Sequence, residues 1–206
     1  METISRRFLD ISIKHEALLF GDFKLKSGLS SSYFFNIGIL FNSGYLNELA
    51  SLYADKILEE DIKFDTLFGP SYKGIPLVSG ISIELSRRLS KPIPISFDRK
   101  EEKKHGEGGK IVGSVKDKKV LIIDDVLTAG TALKNTIKIV KFEGGHVINS
   151  IVALDREEVI DGRVSRDRIR EEHGLNILSL ARLSDLIEFL EQNKKVKEAE
   201  SLKSNL

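Results

Sequence analysis

Hydrophobic and polar residues follow two different periods along the chain, and this pattern predicts strands that alternate with helices. Residues 120–123 (VLII) form a short apolar run rich in β-branched side chains, which is typical of a buried parallel strand. Apolar residues then recur at Leu133, Ile137 and Val140, on one face of a helix that begins near Thr131. Further strands are predicted at 65–68, 92–97, 146–154 and 176–180, and further helices at 4–19, 43–60, 76–89, 165–173 and 184–192.

The N-terminal segment 20–36 departs from this alternation. Residues 23–26 alternate between apolar and basic side chains, a turn follows at 27–32, and residues 33–37 resume a strand pattern. This segment therefore predicts a β-hairpin. We expect an α/β fold with a mainly parallel, twisted sheet flanked by helices, in which the hairpin forms a small hood over the carboxyl ends of the strands.

Two polar segments lie outside the predicted elements. Residues 98–113 (DRKEEKKHGEGGKIVG) carry four glycines and a cluster of basic side chains. Because polar loops of this length in a compact domain are usually functional lids or disordered segments, we expect a mobile loop here. The C-terminal residues 194–206 are polar, and we expect them to be frayed. No repeat or linker divides the chain, so residues 1–206 are expected to form a single domain.

Composition excludes several classes of function. The 206 residues carry a formal net charge of +1, so neither a nucleic-acid surface nor a membrane surface is indicated. No cysteine is present, which removes disulfides, thiolate nucleophiles and cysteine-based metal sites. Charged residues occur throughout the N-terminal segment, and no apolar run approaches membrane-spanning length. We therefore expect a cytoplasmic protein without a nucleic-acid or membrane partner.

Candidate chemistry begins directly after the central strand. Asp124 and Asp125 follow the apolar run, and a turn of small residues, 128–131 (TAGT), leads into the helix. The N-terminus of a helix offers free N–H groups and a positive dipole end to a phosphate. The two carboxylates can accept hydrogen bonds from vicinal sugar hydroxyls. The alternative is an ordinary strand–turn–helix corner with capping aspartates. Neither a Walker A loop nor a dinucleotide-binding fingerprint is present.

Two cationic residues follow other strands of the same predicted sheet. Lys73 lies in the turn 69–74 (GPSYKG), and Arg156 follows the strand 146–154. Because ligands of open α/β sheets bind outside the carboxyl ends of the strands, we expect both residues to lie on the same rim as Asp124. The alternative for each is an ordinary surface cation beside a tight turn.

These residues belong to motifs that occur in a fixed order along the chain. The motifs are 25–28 (LKSG) with 33–36 (YFFN), 68–76 (FGPSYKGIP), 99–109 (RKEEKKHGEGG), 124–132 (DDVLTAGTA) and 154–156 (LDR). From about Ile4 to Leu190 the chain resembles the orotate phosphoribosyltransferases, a branch of the type I phosphoribosyltransferases. The paired-aspartate motif marks the type I group as a whole, whereas the hairpin motif and the basic loop narrow the resemblance to the orotate branch. Ser32 is a departure, since close relatives carry proline there.

The resemblance implies a reaction, a cofactor and partners. The family transfers the phosphoribosyl group of 5-phosphoribosyl 1-diphosphate (PRPP) to N1 of orotate, which gives orotidine 5′-monophosphate and diphosphate in pyrimidine biosynthesis. It implies Mg²⁺, and a homodimer in which loop residues 99–109 act on the partner's site. Two alternatives stay open: a phosphoribosyltransferase for another nucleobase, and a regulator that senses PRPP on the same fold. The low net charge and the lack of a spare domain disfavour the regulator.

The resemblance also implies roles for individual residues. The implied catalytic residues are Lys73, Lys103, His105 and Asp125. The implied PRPP-binding residues are Lys26, Tyr72, Lys73, Arg99, Lys100, Lys103, His105, Asp124, Asp125, Val126, Leu127, Thr128, Ala129, Gly130, Thr131 and Ala132. The implied orotate-binding residues are Lys26, Phe34, Phe35, Thr128 and Arg156. Asp124 and Asp125 would contact the metal indirectly, through substrate or water.

Overall fold

The computed structural model describes residues 2–24, 30–103 and 109–203. Its strands are β1 (Leu18–Lys24), β2 (Ser30–Phe35), β3 (Thr66–Gly69), β4 (Ile95–Lys103), β5 (Gly109–Val112), β6 (Lys119–Leu127), β7 (His146–Asp155), β8 (Val159–Ile160), β9 (Arg163–Val164) and β10 (Asn176–Arg182). Its helices are α1 (Ile4–Lys14), α2 (Gly38–Asn42), α3 (Leu46–Glu59), α4 (Gly74–Leu89), α5 (Thr131–Phe142), α6 (Ser165–His173), α7 (Leu183–Gln192) and α8 (Val196–Lys203). Within these ranges, no helix is long and apolar enough to cross a bilayer.

The main sheet has six strands in the order β10–β7–β6–β3–β4–β5. All neighbouring strands run parallel except β4 and β5, which pair antiparallel. β1 and β2 pair antiparallel in a separate two-stranded sheet. The predicted α/β class, the mainly parallel sheet and the N-terminal hairpin are therefore confirmed.

Helices cover both faces of the main sheet. Along β6, Leu121 and Ile123 belong to one hydrophobic cluster, which also includes residues of α1, α3, α4 and α7. Val120 and Ile122 belong to a second cluster, which includes residues of α5 and Ile169 of α6. Because successive side chains of a strand point to opposite faces, the uninterrupted apolar run reflects a strand that is buried on both sides.

Three elements near the N-terminus and the rim differ from those that the sequence pattern predicts. α1 ends at Lys14 rather than at residue 19, since Glu16 takes a positive φ of 58° and Leu18 already belongs to β1. α3 begins at Leu46, after the short helix α2 and a turn at Gly44 with φ of 82°. The β8–β9 hairpin was not predicted, because two-residue strands are too short to show a period.

Two strands extend further than predicted. β6 continues to Leu127, so Asp124 and Asp125 lie within its carboxyl-terminal end instead of following it. β4 continues to Lys103 and pairs with β5, so the described parts of segment 98–113 form a β-ribbon. Residues 104–108 lie outside the described residues, and the mobility of this segment stays a prediction.

The C-terminal segment forms a helix, so the prediction of a frayed tail is wrong for residues 196–203. α8 buries Ala199 and Leu202, which lie three residues apart on one face of the helix. Its Lys203 pairs with Glu191 of α7 at 2.7 Å. The Ser32 hydroxyl of β2 donates a hydrogen bond to the carbonyl of Ser201 at 3.2 Å. Two buried apolar residues, an ion pair and a hydrogen bond thus dock a short, mostly polar helix beside the hairpin.

We expect Leu202→Ala to lower the free energy of unfolding by about 2–5 kcal/mol, because truncating a fully buried leucine removes apolar contacts and leaves a cavity. Urea denaturation followed by circular dichroism measures this change. Val196→Ala, at an exposed position of the same helix, is the control and should change it by less than about 0.5 kcal/mol. Equal effects of the two substitutions would mean that α8 does not pack against the fold.

Candidate active site

Three strands of the main sheet end side by side at one edge. β6 lies between β3 and β7 and runs parallel to both, so the carboxyl ends of the three strands point the same way. The turn 70–73 follows β3, the acidic pair ends β6, and Arg156 follows β7. This rim is where ligands of open α/β sheets bind.

The acidic pair on β6 is held by two neighbours and by one hydrogen bond within the pair. The Tyr53 hydroxyl donates to the backbone carbonyl of Asp124 at 2.7 Å, and the Asp125 N–H donates to Asp124 Oδ1 at 2.9 Å. Asp125 is only 8% exposed, and its carboxylate accepts a hydrogen bond from Lys73 Nζ at 2.7 Å. The ion pair therefore joins the turn after β3 to the end of β6.

Two adjacent carboxylates at a partly buried position shift the pKa of one of them. Burial and the neighbouring charge of Asp125 raise the pKa of the Asp124 carboxyl to about 7, although the Asp125 N–H and the Lys73 charge act in the opposite direction. Hydroxyl donors or a cation at the rim would favour the ionised form. The unliganded pair is thus arranged to accept hydrogen bonds from a ligand.

The turn after β6 opens directly into the N-terminus of α5. Gly130 is the N-cap with φ of 80°, and a Cβ atom at this position would lie 2.3 Å from Cδ1 of Ile169. Thr128, Ala129 and Thr131 are exposed, and no side chain caps the helix. The open helix end can therefore receive an anion through backbone N–H groups and threonine hydroxyls.

The turn after β3 is closed by two glycines and positions Lys73. A Cβ on Gly69 would lie 2.3 Å from the carbonyl oxygen of Gly74, so the two ends of the turn touch. The Ser71 N–H donates to Asp98 Oδ1 at 2.5 Å, which ties the turn to β4. The Ser71–Tyr72 peptide bond is cis. The Lys73 side chain is 47% exposed and remains accessible to a ligand while it contacts Asp125.

Arg156 is fixed by both its backbone and its side chain. Its N–H donates to the carbonyl of Leu127 at 3.0 Å, which joins the ends of β7 and β6. Its Nη2 donates to the Ser31 hydroxyl at 3.0 Å, and its guanidinium carbon lies 4.5 Å from the centre of the Tyr33 ring. Its Nε lies 3.3 Å from Glu158 Oε1. The hairpin thus contacts the main rim through this arginine.

The two phenylalanines of the hairpin lie on opposite sides of β2. Phe34 is 40% exposed and faces Phe23, with ring centres 5.7 Å apart. Phe35 is buried and packs edge-on against Phe8 at 5.8 Å. Since β2 alternates its side chains, only the Phe34 ring remains open to a ligand, whereas Phe35 can offer its backbone.

The structure brings together most of the predicted site residues that it describes. Lys73, the acidic pair, the 128–131 turn and Arg156 share the rim, and Tyr72 is exposed beside Lys73. Arg99 is partly buried on β4. Only the backbone positions of Lys100 and Lys103 are described, both in β4, and Lys26 and His105 lie outside the described residues.

Sequence reasoning missed the residues that support this rim. They are Ser31, Tyr33, Tyr53, Asp98 and Glu158. Ser31, Tyr33, Tyr53 and Asp98 each lie on a different element from the residue that they contact, so no local spacing reveals those contacts. Glu158 lies two residues after Arg156, in a segment with no regular period. The one available signal was the position of Tyr33 within the YFFN motif.

Comparison with known proteins identifies the family. Residues 40–167 match the phosphoribosyl transferase domain family. An orotate phosphoribosyltransferase from Kluyveromyces lactis is 43% identical, over 98% of this chain and 93% of its own. The chain belongs to the orotate phosphoribosyltransferase family. A second orotate phosphoribosyltransferase, from Stenotrophomonas maltophilia, is 44% identical over 91% of this chain and 87% of its own.

The fold of this orotate phosphoribosyltransferase family member also matches a solved structure. The crystal structure of orotate phosphoribosyltransferase from Francisella tularensis superposes with a TM-score of 0.83 at 35% identity, over 96% of each chain. The family and the fold predicted from the sequence motifs are both confirmed.

We expect Asp124→Asn to stabilise the unliganded protein at high pH. Since folding raises the pKa of Asp124, the folded protein binds more protons than the unfolded chain between about pH 4 and pH 7, so this carboxyl lowers stability as pH rises through that window. The substitution should therefore raise Tm by about 2–4 °C at pH 8, and the gain should shrink towards pH 4.

Thermal unfolding followed by circular dichroism at several pH values, without PRPP or Mg²⁺, measures this dependence. Asp10→Asn, at an exposed position of α1, is the control and should change the free energy of unfolding by less than about 0.5 kcal/mol. A Tm gain for Asp124→Asn that is the same at pH 5 and pH 8 would contradict the raised pKa.

Proposed function

We propose that this member of the orotate phosphoribosyltransferase family transfers the phosphoribosyl group of PRPP to N1 of orotate at the rim formed by β3, β6 and β7. The products are orotidine 5′-monophosphate and diphosphate, in pyrimidine biosynthesis. The observation that carries the proposal is the convergence of an open helix N-terminus, a carboxylate pair and two cations at one rim, on a chain of this family.

The sugar phosphate binds at the end of β6. The 5′-phosphate sits on the turn 128–131, where backbone N–H groups and the Thr128 and Thr131 hydroxyls donate to its oxygens. The residues Val126, Leu127, Ala129, Gly130 and Ala132 complete this binding segment. Asp124 and Asp125 accept hydrogen bonds from the ribose hydroxyls, and this contact favours the ionised form of Asp124.

The diphosphate leaves towards the cationic side of the rim. Breaking the C1–O bond puts negative charge on the diphosphate and positive charge on the ribose. Lys73 and Tyr72 meet the leaving group from the turn after β3. In the proposed dimer, Arg99, Lys100, Lys103 and His105 of the partner subunit meet it as well. N1 of orotate is the nucleophile: the N1–C1 bond forms as the C1–O bond breaks, and the N1 proton passes to the departing diphosphate or to water. Catalysis therefore depends on positioning and charge stabilisation rather than on a protein nucleophile.

Mg²⁺ fits the acidic pair only as a partner of the substrate. Among residues 2–24, 30–103 and 109–203, no group of three or more His, Cys, Asp or Glu side chains could hold a metal ion. Two neighbouring carboxylates match the way Mg²⁺ binds through one or two carboxylates, waters and substrate phosphates. When bound, Mg²⁺ supplies charge neutralisation of the diphosphate. Asp124 and Asp125 would hold it through water or the ribose.

Orotate binds between the hairpin and the end of β7. Arg156 presents a planar fork that suits a carboxylate, and the exposed Phe34 ring can stack on the pyrimidine. Phe35 contributes its backbone, because its side chain is buried against Phe8. Lys26 and Thr128 complete the orotate site in this proposal.

The enzyme acts as a cytoplasmic homodimer without a nucleic-acid or membrane partner. Residues 99–109 of one subunit close over the rim of the other, which excludes water from the reacting centre. Support for this arrangement comes from the family membership and from the basic composition of the segment.

We expect diphosphate release from PRPP to require orotate and Mg²⁺. The reason is that Arg156 and the carboxylate pair together match a carboxylated base and a ribose phosphate. A coupled diphosphate assay with orotate, adenine, hypoxanthine and uracil, each with and without Mg²⁺, measures this selectivity. Preferred turnover of a base other than orotate would overturn the assignment.

We expect Lys103→Ala to lower turnover roughly 10²-fold or more, the scale of losing one transition-state charge contact. Mixing this variant with Asp125→Asn subunits should then restore part of the activity, because each hybrid dimer regains one complete site if the segment acts on the partner subunit.

The assay is steady-state turnover after the two tagged variants are unfolded, mixed and refolded together. Each variant refolded with itself is the matched control and should keep only its own low turnover. Hybrids that are isolated with both tags but show no recovery would rule out action on the partner's site.

A further inference from the structure

Arg156 is enclosed by residues of the hairpin that none of the assigned roles explains. The Ser31 hydroxyl donates to the carbonyl of Tyr33 at 2.8 Å and accepts from Arg156 Nη2 at 3.0 Å. Because its proton is already directed at Tyr33, the lone pairs of Ser31 face the guanidinium. The hairpin backbone thus takes the proton of the Ser31 hydroxyl and leaves its oxygen to accept from the arginine, which can only donate.

The Tyr33 ring supplies the second contact. It is fully buried, and the guanidinium carbon of Arg156 lies 4.5 Å from its centre. Burial raises the pKa of Tyr33 above its usual range, so the ring stays neutral. A neutral aromatic face attracts a cation through its quadrupole, and a buried ring cannot move away from it.

The third contact is with Glu158, which follows β7. Glu158 Oε1 lies 3.3 Å from Arg156 Nε, and the Arg156 side chain is only 11% exposed. Within the described residues, two buried polar atoms here lack a hydrogen-bond partner, namely Arg156 Nε and the Tyr33 hydroxyl. Buried polar atoms without partners are uncommon, and here one belongs to the guanidinium of Arg156 and the other to the tyrosine against which it packs.

We propose that Tyr33 and Ser31 are positioning residues for Arg156, which hold its guanidinium in one orientation ready for the carboxylate of the substrate. This inference rests on the proposed role of Arg156 in binding orotate. An arginine side chain loses considerable rotamer freedom on binding, and a fork that is already ordered loses less. The hairpin thus lowers the entropy cost of recognising a carboxylate before the substrate arrives.

The test compares a carboxylated base with the same ring lacking the carboxylate. The KM for orotate and the inhibition constant of uracil, as a competitor of orotate, are measured for each variant. Tyr33→Leu should raise the KM for orotate about 3- to 30-fold through loss of the cation–π contact. Ser31→Ala should raise it about tenfold through loss of a hydrogen bond to a charged group. For both variants, the uracil constant, the KM for PRPP and kcat should stay near wild type.

Two further variants distinguish a positioning role of Tyr33 and Ser31 from a general disruption of the hairpin. Tyr33→Phe keeps the ring and should recover most of the affinity that Tyr33→Leu loses. Ser32→Ala is the matched control, since this neighbouring hydroxyl faces the carbonyl of Ser201 instead of Arg156. A variant that weakens orotate and uracil equally would indicate a disordered hairpin and overturn the proposal.

The Arg156→Ala variant distinguishes an error in this inference from an error in the proposed function. If Arg156→Ala leaves the preference for orotate over uracil unchanged, the assignment of Arg156 to the carboxylate is wrong. If Arg156→Ala removes that preference but Ser31→Ala and Tyr33→Leu do not, the positioning role is overturned and the assignment stands. Should Tyr33→Leu fail to fold, Ser31→Ala decides alone, because it removes a single buried hydroxyl and little volume.

Discussion

The placement of two adjacent carboxylates at the end of a strand buried on both faces is the constraint on which the rim depends. Charges so close and so poorly solvated repel each other, and burial raises the pKa of Asp124. Lys73 offsets this by an ion pair to Asp125, and the tight glycine-closed turn after β3 delivers the lysine to that point. The sequence of the turn after β3 thus places the positive charge that partly neutralises the carboxylate pair on β6.

Much of the fold and the centre of the site could be predicted from local pattern. The run VLII, the helix that starts at Thr131 and the glycine at 130 are all short-range signals, and each corresponds to an observed element. Lys73 and Arg156 could be placed on one rim because parallel strands end at the same edge. The ordered motifs then indicated the orotate phosphoribosyltransferase family, and the similar proteins confirm that family.

The remaining features depend on contacts between distant parts of the chain. α8 was missed because its two buried residues are few among polar neighbours, and their partners lie elsewhere in the sequence. The β4–β5 ribbon was missed because its charged residues carry no alternation that marks a buried face. The contacts of Ser31 and Tyr33 with Arg156 could not be predicted, because Arg156 lies more than a hundred residues away along the chain.

The hydrogen bond from the Arg156 N–H to the Leu127 carbonyl has a consequence for how this scaffold can diversify. It continues the ladder between β6 and β7, in which Leu127 already pairs with Asp155. In the proposed binding mode, the distance between the orotate site and the ribose phosphate site is therefore set by the main chain and does not depend on the side chain at position 156. A related protein could therefore carry another side chain at position 156, bind a different base, and still place the nitrogen of that base beside C1 of the ribose.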